Sequence, residues 1–275
     1  MVTWDNDALR NPATGYCQTL AAITFNDMTR QLLTIFLILG TISCGQRREG
    51  EQKPGLLSYF VSITDNEDKG IKEILDFYGG ECKYSVGAVE STADKEDKKY
   101  FEIELRKSSA ITKYADRPEW TTGNIAYRFF KNLNHEERKN YTHIRGTLIL
   151  DNGDKIEHDY SREELEIVDK KMKIVLNVIE TIKQKRFQDI KAYLNPENNF
   201  TYNKDTVVSD LQKFDPEFGN ITEFRLFGIK YTTADTKPIL GIFGVLIRDV
   251  QNSEFKVYIN PKSDKEEIMA LNYKW

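Results

Sequence analysis

Apolar and polar positions alternate along this chain in two different periods, and the switches between them outline its elements. Ile71, Ile74, Leu75 and Tyr78 recur at helical spacing after the capping-box sequence Thr64-Asp-Asn-Glu67, and Gly79-Gly80 stops them, which predicts a helix over 65–78. Tyr84, Val86 and Ala88, then Phe101, Ile103 and Leu105, alternate with polar neighbours and predict two half-buried strands joined by the charged stretch 92–98. Ile125, Ala126, Phe129, Phe130 and Leu133 predict a second amphipathic helix after Pro118, ended by Asn134.

The next two strands raise a question of register. A two-residue Asn152-Gly153 loop would set Leu150 against Lys155 and Leu148 against Glu157, placing apolar residues on a charged face. A three-residue loop with Gly153 left-handed pairs Leu148 with Ile156 and Ile144 with Tyr160, and is the predicted arrangement. It also sets His158 opposite Gly146, where an imidazole satisfied by one hydrogen bond is the ordinary outcome and proton transfer the exception.

Ser161-Arg-Glu-Glu164 is a second capping box and marks the predicted domain boundary. Leu165, Val168, Met172, Val175, Leu176, Ile179 and Ile182 form one stripe, which Phe187, Ile190 and Leu194 extend until Asn195-Pro196 breaks the helix. A shorter helix holds Val207, Val208, Leu211 and Phe214, and four strands follow at 221–231, 238–250, 254–260 and 266–275. The stretch from Ile239 to Ile247 is apolar on both faces, with Gly241 and Gly244 allowing a bend, so both faces need cover. The long helix supplies one cover. For the other, the sheet face holding Ile242 and Phe243 is expected to be an interface, with self-association favoured slightly over docking of the first domain.

Near the N-terminus a different pattern appears. Residues 32–42 form an apolar run of roughly 11 residues, against about 20 needed to cross a bilayer. Arg30 precedes it and small residues lead to a cysteine, as in a secretory signal with a cleavage site. The box Thr41-Ile42-Ser43-Cys44 resembles that of a bacterial lipoprotein signal peptide, with Thr where Leu is usual. The resemblance implies a signal at 28–44, lipidation at Cys44 and attachment to the membrane of a bacterial cell envelope. Residues 1–27 then read as an upstream extension, and the polar stretch 45–60 as a flexible tether.

Composition removes several function classes. With 39 Lys and Arg against 43 Asp and Glu, the chain lacks the basic surplus of a nucleic-acid binder. Cys82 is the one cysteine in the body that remains once Cys17 and Cys44 are assigned to the N-terminal region, so no internal disulfide forms. His135, His143 and His158 have no neighbour at metal-ligand spacing, and no metal or cofactor is expected.

The fold class expected is α+β: an N-terminal α+β domain at 61–160, then at 161–275 a cone-like domain of a long helix packed on a curved antiparallel sheet. In that second half, Arg186-Phe-Gln-Asp-Ile-Lys-Ala-Tyr-Leu194 and Leu211-Gln-Lys-Phe-Asp-Pro-Glu-Phe-Gly219 are similar to the nuclear transport factor two-like superfamily, also called cystatin-like. The resemblance implies a cone whose walls would include Phe187, Tyr193, Phe214, Phe224 and Phe227 as ligand-binding residues. Enzymes of that superfamily use an Asp/His or Tyr/Asp constellation, and this half has no histidine, which rules out the first. The leading expectation is therefore a lipid-anchored, non-catalytic module for a small apolar ligand or an envelope protein partner, possible as a homodimer. The alternatives are a hydrolase or isomerase using Glu102, Glu104 or Asp159 with His158, and a structural envelope component.

Overall fold

The computed structural model describes residues 63–89, 98–196, 202–234 and 236–274, so Cys44, the signal-like segment and the tether lie outside the described residues. Helix α1, Asp65–Tyr78, begins with the expected box, in which Thr64 N donates to Glu67 Oε2 at 2.8 Å and Glu67 N to Thr64 Oγ1 at 3.2 Å. It stops at Gly79, whose φ of 64° suits glycine. Strands β1, Glu81–Val89, and β2, Lys98–Arg106, pair antiparallel. After the short α2, Ser109–Lys113, comes α3, Pro118–Phe130, which carries the chain across the sheet so that β3, His143–Ile149, lies parallel to β2. Strand β4, Lys155–Ser161, completes the order β1-β2-β3-β4. Asn134 does not end the second helix: α3 has already stopped, and Asn134 caps a short α4, His135–Arg138, through its own capping box with Glu137.

The β3–β4 register is the one predicted, with Leu148 opposite Ile156, Gly146 opposite His158 and Ile144 opposite Tyr160. Gly153 has φ 89°, its N–H bonds the Leu150 carbonyl at 2.9 Å, and Leu150 N bonds Asp154 O at 2.9 Å. Alternation then sorts the sheet. Phe101, Ile103, Leu105, Ile144 and Leu148 face α1 and α3 and are buried, with Phe101 stacked 4.2 Å from Phe129 of α3.

Helix α5, Arg162–Lys183, opens on the expected box at Ser161 but ends earlier than the apolar stripe does. Lys185 takes a left-handed φ of 59° and Arg186 N reaches back to Thr181 O at 3.0 Å, the wrap that normally terminates a helix on glycine. The stripe resumes in a 3-10 turn, Phe187–Asp189, and α6, Ile190–Tyr193, whose Phe187, Ile190 and Leu194 positions are buried. Helix α7, Lys204–Phe218, leads into β5, Ile221–Ala234, β6, Lys237–Arg248, β7, Ser253–Ile259, and β8, Ala270–Lys274. These form a second, antiparallel sheet in sequence order, bent by two register shifts in β5. The last strand starts later than expected, because Ile268 instead bonds the α6 end through Ile268 N to Tyr193 O, 2.7 Å, and Asn195 N to Ile268 O, 2.8 Å.

The fold is α+β, with a long helix and a curved antiparallel sheet in the second half. Its core does not divide at Ser161. One buried cluster runs from Ile74, Ile103 and Phe129 through Val175 to Ile242 and Val257, and the described residues belong to one compact unit. Helix α3 is the shared layer. Its Phe129 edge packs on the first sheet, and Gly123 lies so close to β5 that a Cβ there would come nearer to Ile229 O than the 3.0 Å that real Cβ atoms respect.

Candidate functional site

Strand β6 shows first what covers the two-sided apolar segment. Leu240, Ile242 and Leu246 are buried toward the α5 side of the core, while Phe243, 3% exposed, lies under Trp120 of α3. The face assigned to self-association is thus occupied by this chain's own first half, and Ile242 and Phe243 are interior residues. Gly241 and Gly244 serve packing as well as bending: a Cβ at Gly241 would strike the Phe243 ring, and one at Gly244 the Phe224 ring.

The five aromatic residues assigned to a ligand cone do not converge. Phe187 is 8% exposed and belongs to the core, against which Tyr193 and Phe224 also pack, Phe224 edge-on to Phe255 at 5.8 Å. Phe227 points to the opposite side, stacked 5.9 Å from Tyr114 and 6.1 Å from Trp120. Phe214 is half-buried on α7, with the Lys213 ammonium 4.7 Å from its ring. Sequence spacing located each of them in an element, but Phe224 and Phe227 stand three positions apart in one strand, which sets them on opposite faces.

His158 sits at the seam of the two sheets. Its Nδ1 is 3.1 Å from Thr122 Oγ1, which is 2.9 Å from Tyr160 Oη, and Tyr160 donates to Glu119 O at 2.9 Å. The Glu119 carboxylate in turn meets Lys230 of β5 at 3.4 Å. Gly146 is bare for a plain reason, since a Cβ there would collide with the Thr122 backbone. Thr122 is fully buried, Tyr160 is 7% exposed, and burial raises the Tyr160 pKa above the ordinary tyrosine value. The buried Thr122 hydroxyl and Tyr160 phenol thus tie α3 to β4 through one chain of bonds. The carboxylates proposed to act with His158 are on the other side: Glu102, Glu104 and Asp159 alternate onto the outer face of the first sheet.

That outer face carries an ordered ladder of charges. Arg145 of β3 grips Asp159 of β4 with two hydrogen bonds, 2.6 and 3.0 Å, and its guanidinium lies 4.5 Å from the Tyr100 ring centre. Tyr100 lies flat across Gly87 of β1, where any Cβ would meet its ring. Burial works to raise the Asp159 pKa, but the bonds and charge of Arg145 hold it below the usual carboxylate value. Next along the ladder, Glu102 accepts from Thr147 at 2.8 Å and from Ser85 at 3.3 Å, and pairs with Lys155 at 3.3 Å. Lys155 also pairs with Glu157 at 2.7 Å. The alternating acids were legible as a solvent face. The Tyr100-Arg145 pairing was not, because it depends on β2 and β3 being parallel neighbours, which no local pattern encodes.

Elsewhere, Lys107, Ser108, Ser109, Thr112 and Asp151 line a shallow depression open to solvent, across which Thr112 donates to Asp151 at 2.9 Å. Cys82 is a half-buried free thiol, and among the described residues no three His, Cys, Asp or Glu side chains stand together as metal ligands. No helix among the described residues is long and apolar enough to cross a membrane. No known protein family, curated protein or solved structure matches this chain.

Proposed function

We propose that this protein is a lipid-anchored, non-catalytic interaction module of a bacterial cell envelope, and that the outer face of β1 to β4 receives a protein partner. The observation that carries this reading is the Tyr100-Arg145 pair. Arg and Tyr are among the side chains enriched in protein contacts, and ordering a long side chain on binding ordinarily costs about 0.5–1.5 kcal/mol. Here Asp159 and the Tyr100 ring already hold Arg145 in place, so that cost is met before a partner arrives. A protein partner is favoured over a small apolar ligand because the candidate pocket aromatics split between two faces and fill the chain's own interior.

Anchoring rests on Cys44 and its lipobox-like surroundings. We propose also that residues 161–275 are a variant of the nuclear transport factor two-like architecture, a reading supported by one long helix followed by four antiparallel strands. Two measurements test the function. Replacing Cys44 by Ser should move the protein from the membrane to the soluble fraction, and unchanged fractionation and intact mass would refute anchoring. A photo-crosslinking residue at Glu157 should give a discrete adduct in cells that Arg145→Glu abolishes. No adduct at Glu157, or the same adduct from exposed Asn177 on α5, would refute the outer-face reading.

A further inference from the structure

Both sheets end in edge strands, and the edges differ in how they are guarded. Strand β5 is bulged and has α3 packed on it, β8 is only five residues long, and β4 carries Lys155, Glu157 and Asp159 along its exposed face. Short length, bulges and charge are the standard defences of an edge against pairing with another chain. Strand β1 has little of this. Its nine residues pair with β2 in unbroken register, contain no proline, and have no strand neighbour on the other side among the described residues. Its core-side residues are also incompletely covered: Tyr84 and Val86 pack against the core yet stay half-exposed, and Ala88 is exposed.

We infer that β1 pairs antiparallel with β1 of a second copy of this chain, joining two four-stranded sheets edge to edge about a two-fold axis at Ser85. The register follows from charge and length. Ser85 is the midpoint of Glu81–Val89, so an axis there is the one that overlaps all nine residues. It places Glu81 opposite Val89 of the second copy and Lys83 opposite Gly87, and no like charges meet. An axis at Lys83 would set two ammonium groups face to face, and one at Cys82 would leave most of each strand unpaired. With the axis at Ser85, Tyr84 faces Val86 of the second copy twice over, an aromatic and β-branched pairing that suits a sheet. Lys83 of the second copy arrives where Gly87 has no side chain and the Tyr100 ring lies, a cation meeting an aromatic surface. The contact shares the Tyr100 ring with the outer-face reading but not Arg145 or the charges of β3 and β4, so cross-links within β1 report on the edge alone.

One edge pairing buries less than the roughly 1,200 Å² of a stable interface, so association should be concentration-dependent. The test uses the full chain in mild detergent with Cys17, Cys44 and Cys82 replaced by Ser. Ser85→Cys should then give a disulfide-linked dimer on mild oxidation. Glu81→Cys and Val89→Cys should cross-link when mixed but hardly when alone. Sedimentation of the unsubstituted edge should show the apparent mass doubling as concentration rises, and Ser85→Lys should weaken that association at least tenfold while leaving the thermal midpoint of the dilute monomer close to that of the unsubstituted chain. The inference is overturned if Ser85→Cys stays monomeric, as it would if a segment preceding residue 63 occupied the edge. It is equally overturned if Asn177→Cys on α5 cross-links as readily.

Discussion

The Trp120 indole of α3 lies 4.0 Å from the Phe243 ring of β6, the two planes 12° apart, and this stack joins the halves of the molecule. Arg117 closes over the same indole, its guanidinium carbon 4.8 Å from the ring centre. The stack answers the problem that β6 poses as a sequence, because an apolar strand with two faces to hide finds its second cover 123 residues upstream, at Trp120 for Phe243. Phe243→Ala should therefore cost about 3–5 kcal/mol, as for other buried Phe truncations. Both halves should unfold together, with tryptophan fluorescence and far-UV circular dichroism giving one midpoint. Separate transitions would mean that the shared core does not couple them.

Gly123 sets two known effects against each other. On an exposed helix, Gly→Ala is stabilising by about 1 kcal/mol. Here the added methyl would be driven into the Ile229 carbonyl of β5, a backbone atom with little room to yield, and within 3.2 Å of Tyr160 Oη. Overpacking of this kind costs about 1–3 kcal/mol, so steric cost should win. Gly123→Ala should lower stability by about 1 kcal/mol in urea denaturation, and any gain would show that α3 can move off β5.

Gly153 isolates conformation from packing, since nothing lies within 4 Å of where its Cβ would be, yet its φ is 89°. A β-branched residue is strained there, so Gly153→Val should destabilise by about 1 kcal/mol or more. Gly153→Asn should cost less, because Asn tolerates the left-handed region. Equal losses for the two would point to a side-chain clash instead.

Three kinds of feature separate what local sequence encodes from what it does not. Thr64, Ser161 and the Gly153 turn were readable because a cap or a tight turn depends on residues within a few positions of each other. The end of α5 was not, since Lys185 occupies the left-handed position where glycine would have announced the stop. The roles of Trp120, Tyr100 and Arg145 were hidden for a different reason: each partner lies in a strand whose neighbours are chosen by the fold. The self-association face at Ile242 and Phe243 failed on the same ground, because a face that needs cover does not say which part of the chain supplies it.

Asp215 of α7 is a fully buried carboxylate in the second half. Its carboxylate bonds the Arg248 guanidinium of β6 at 2.8 Å, with both side chains wholly inaccessible, and pairs on its other oxygen with Lys185 just beyond α5. Three elements are thus tied at one point, immediately before the turn in which Asn220 N donates to Asp249 at 2.6 Å. Replacing one member of a buried pair leaves the other charge desolvated with less compensation, at about 3–5 kcal/mol, whereas exchanging both for apolar side chains of similar volume is often neutral. Asp215→Leu alone should therefore unfold the protein at markedly lower urea concentration. Asp215→Leu combined with Arg248→Met should recover most of that loss, despite the exposed Lys185 losing its partner. If the double variant is no more stable than the single one, the pair does more than neutralise itself, and its hydrogen bonds to the Gly219 turn would carry the stability instead.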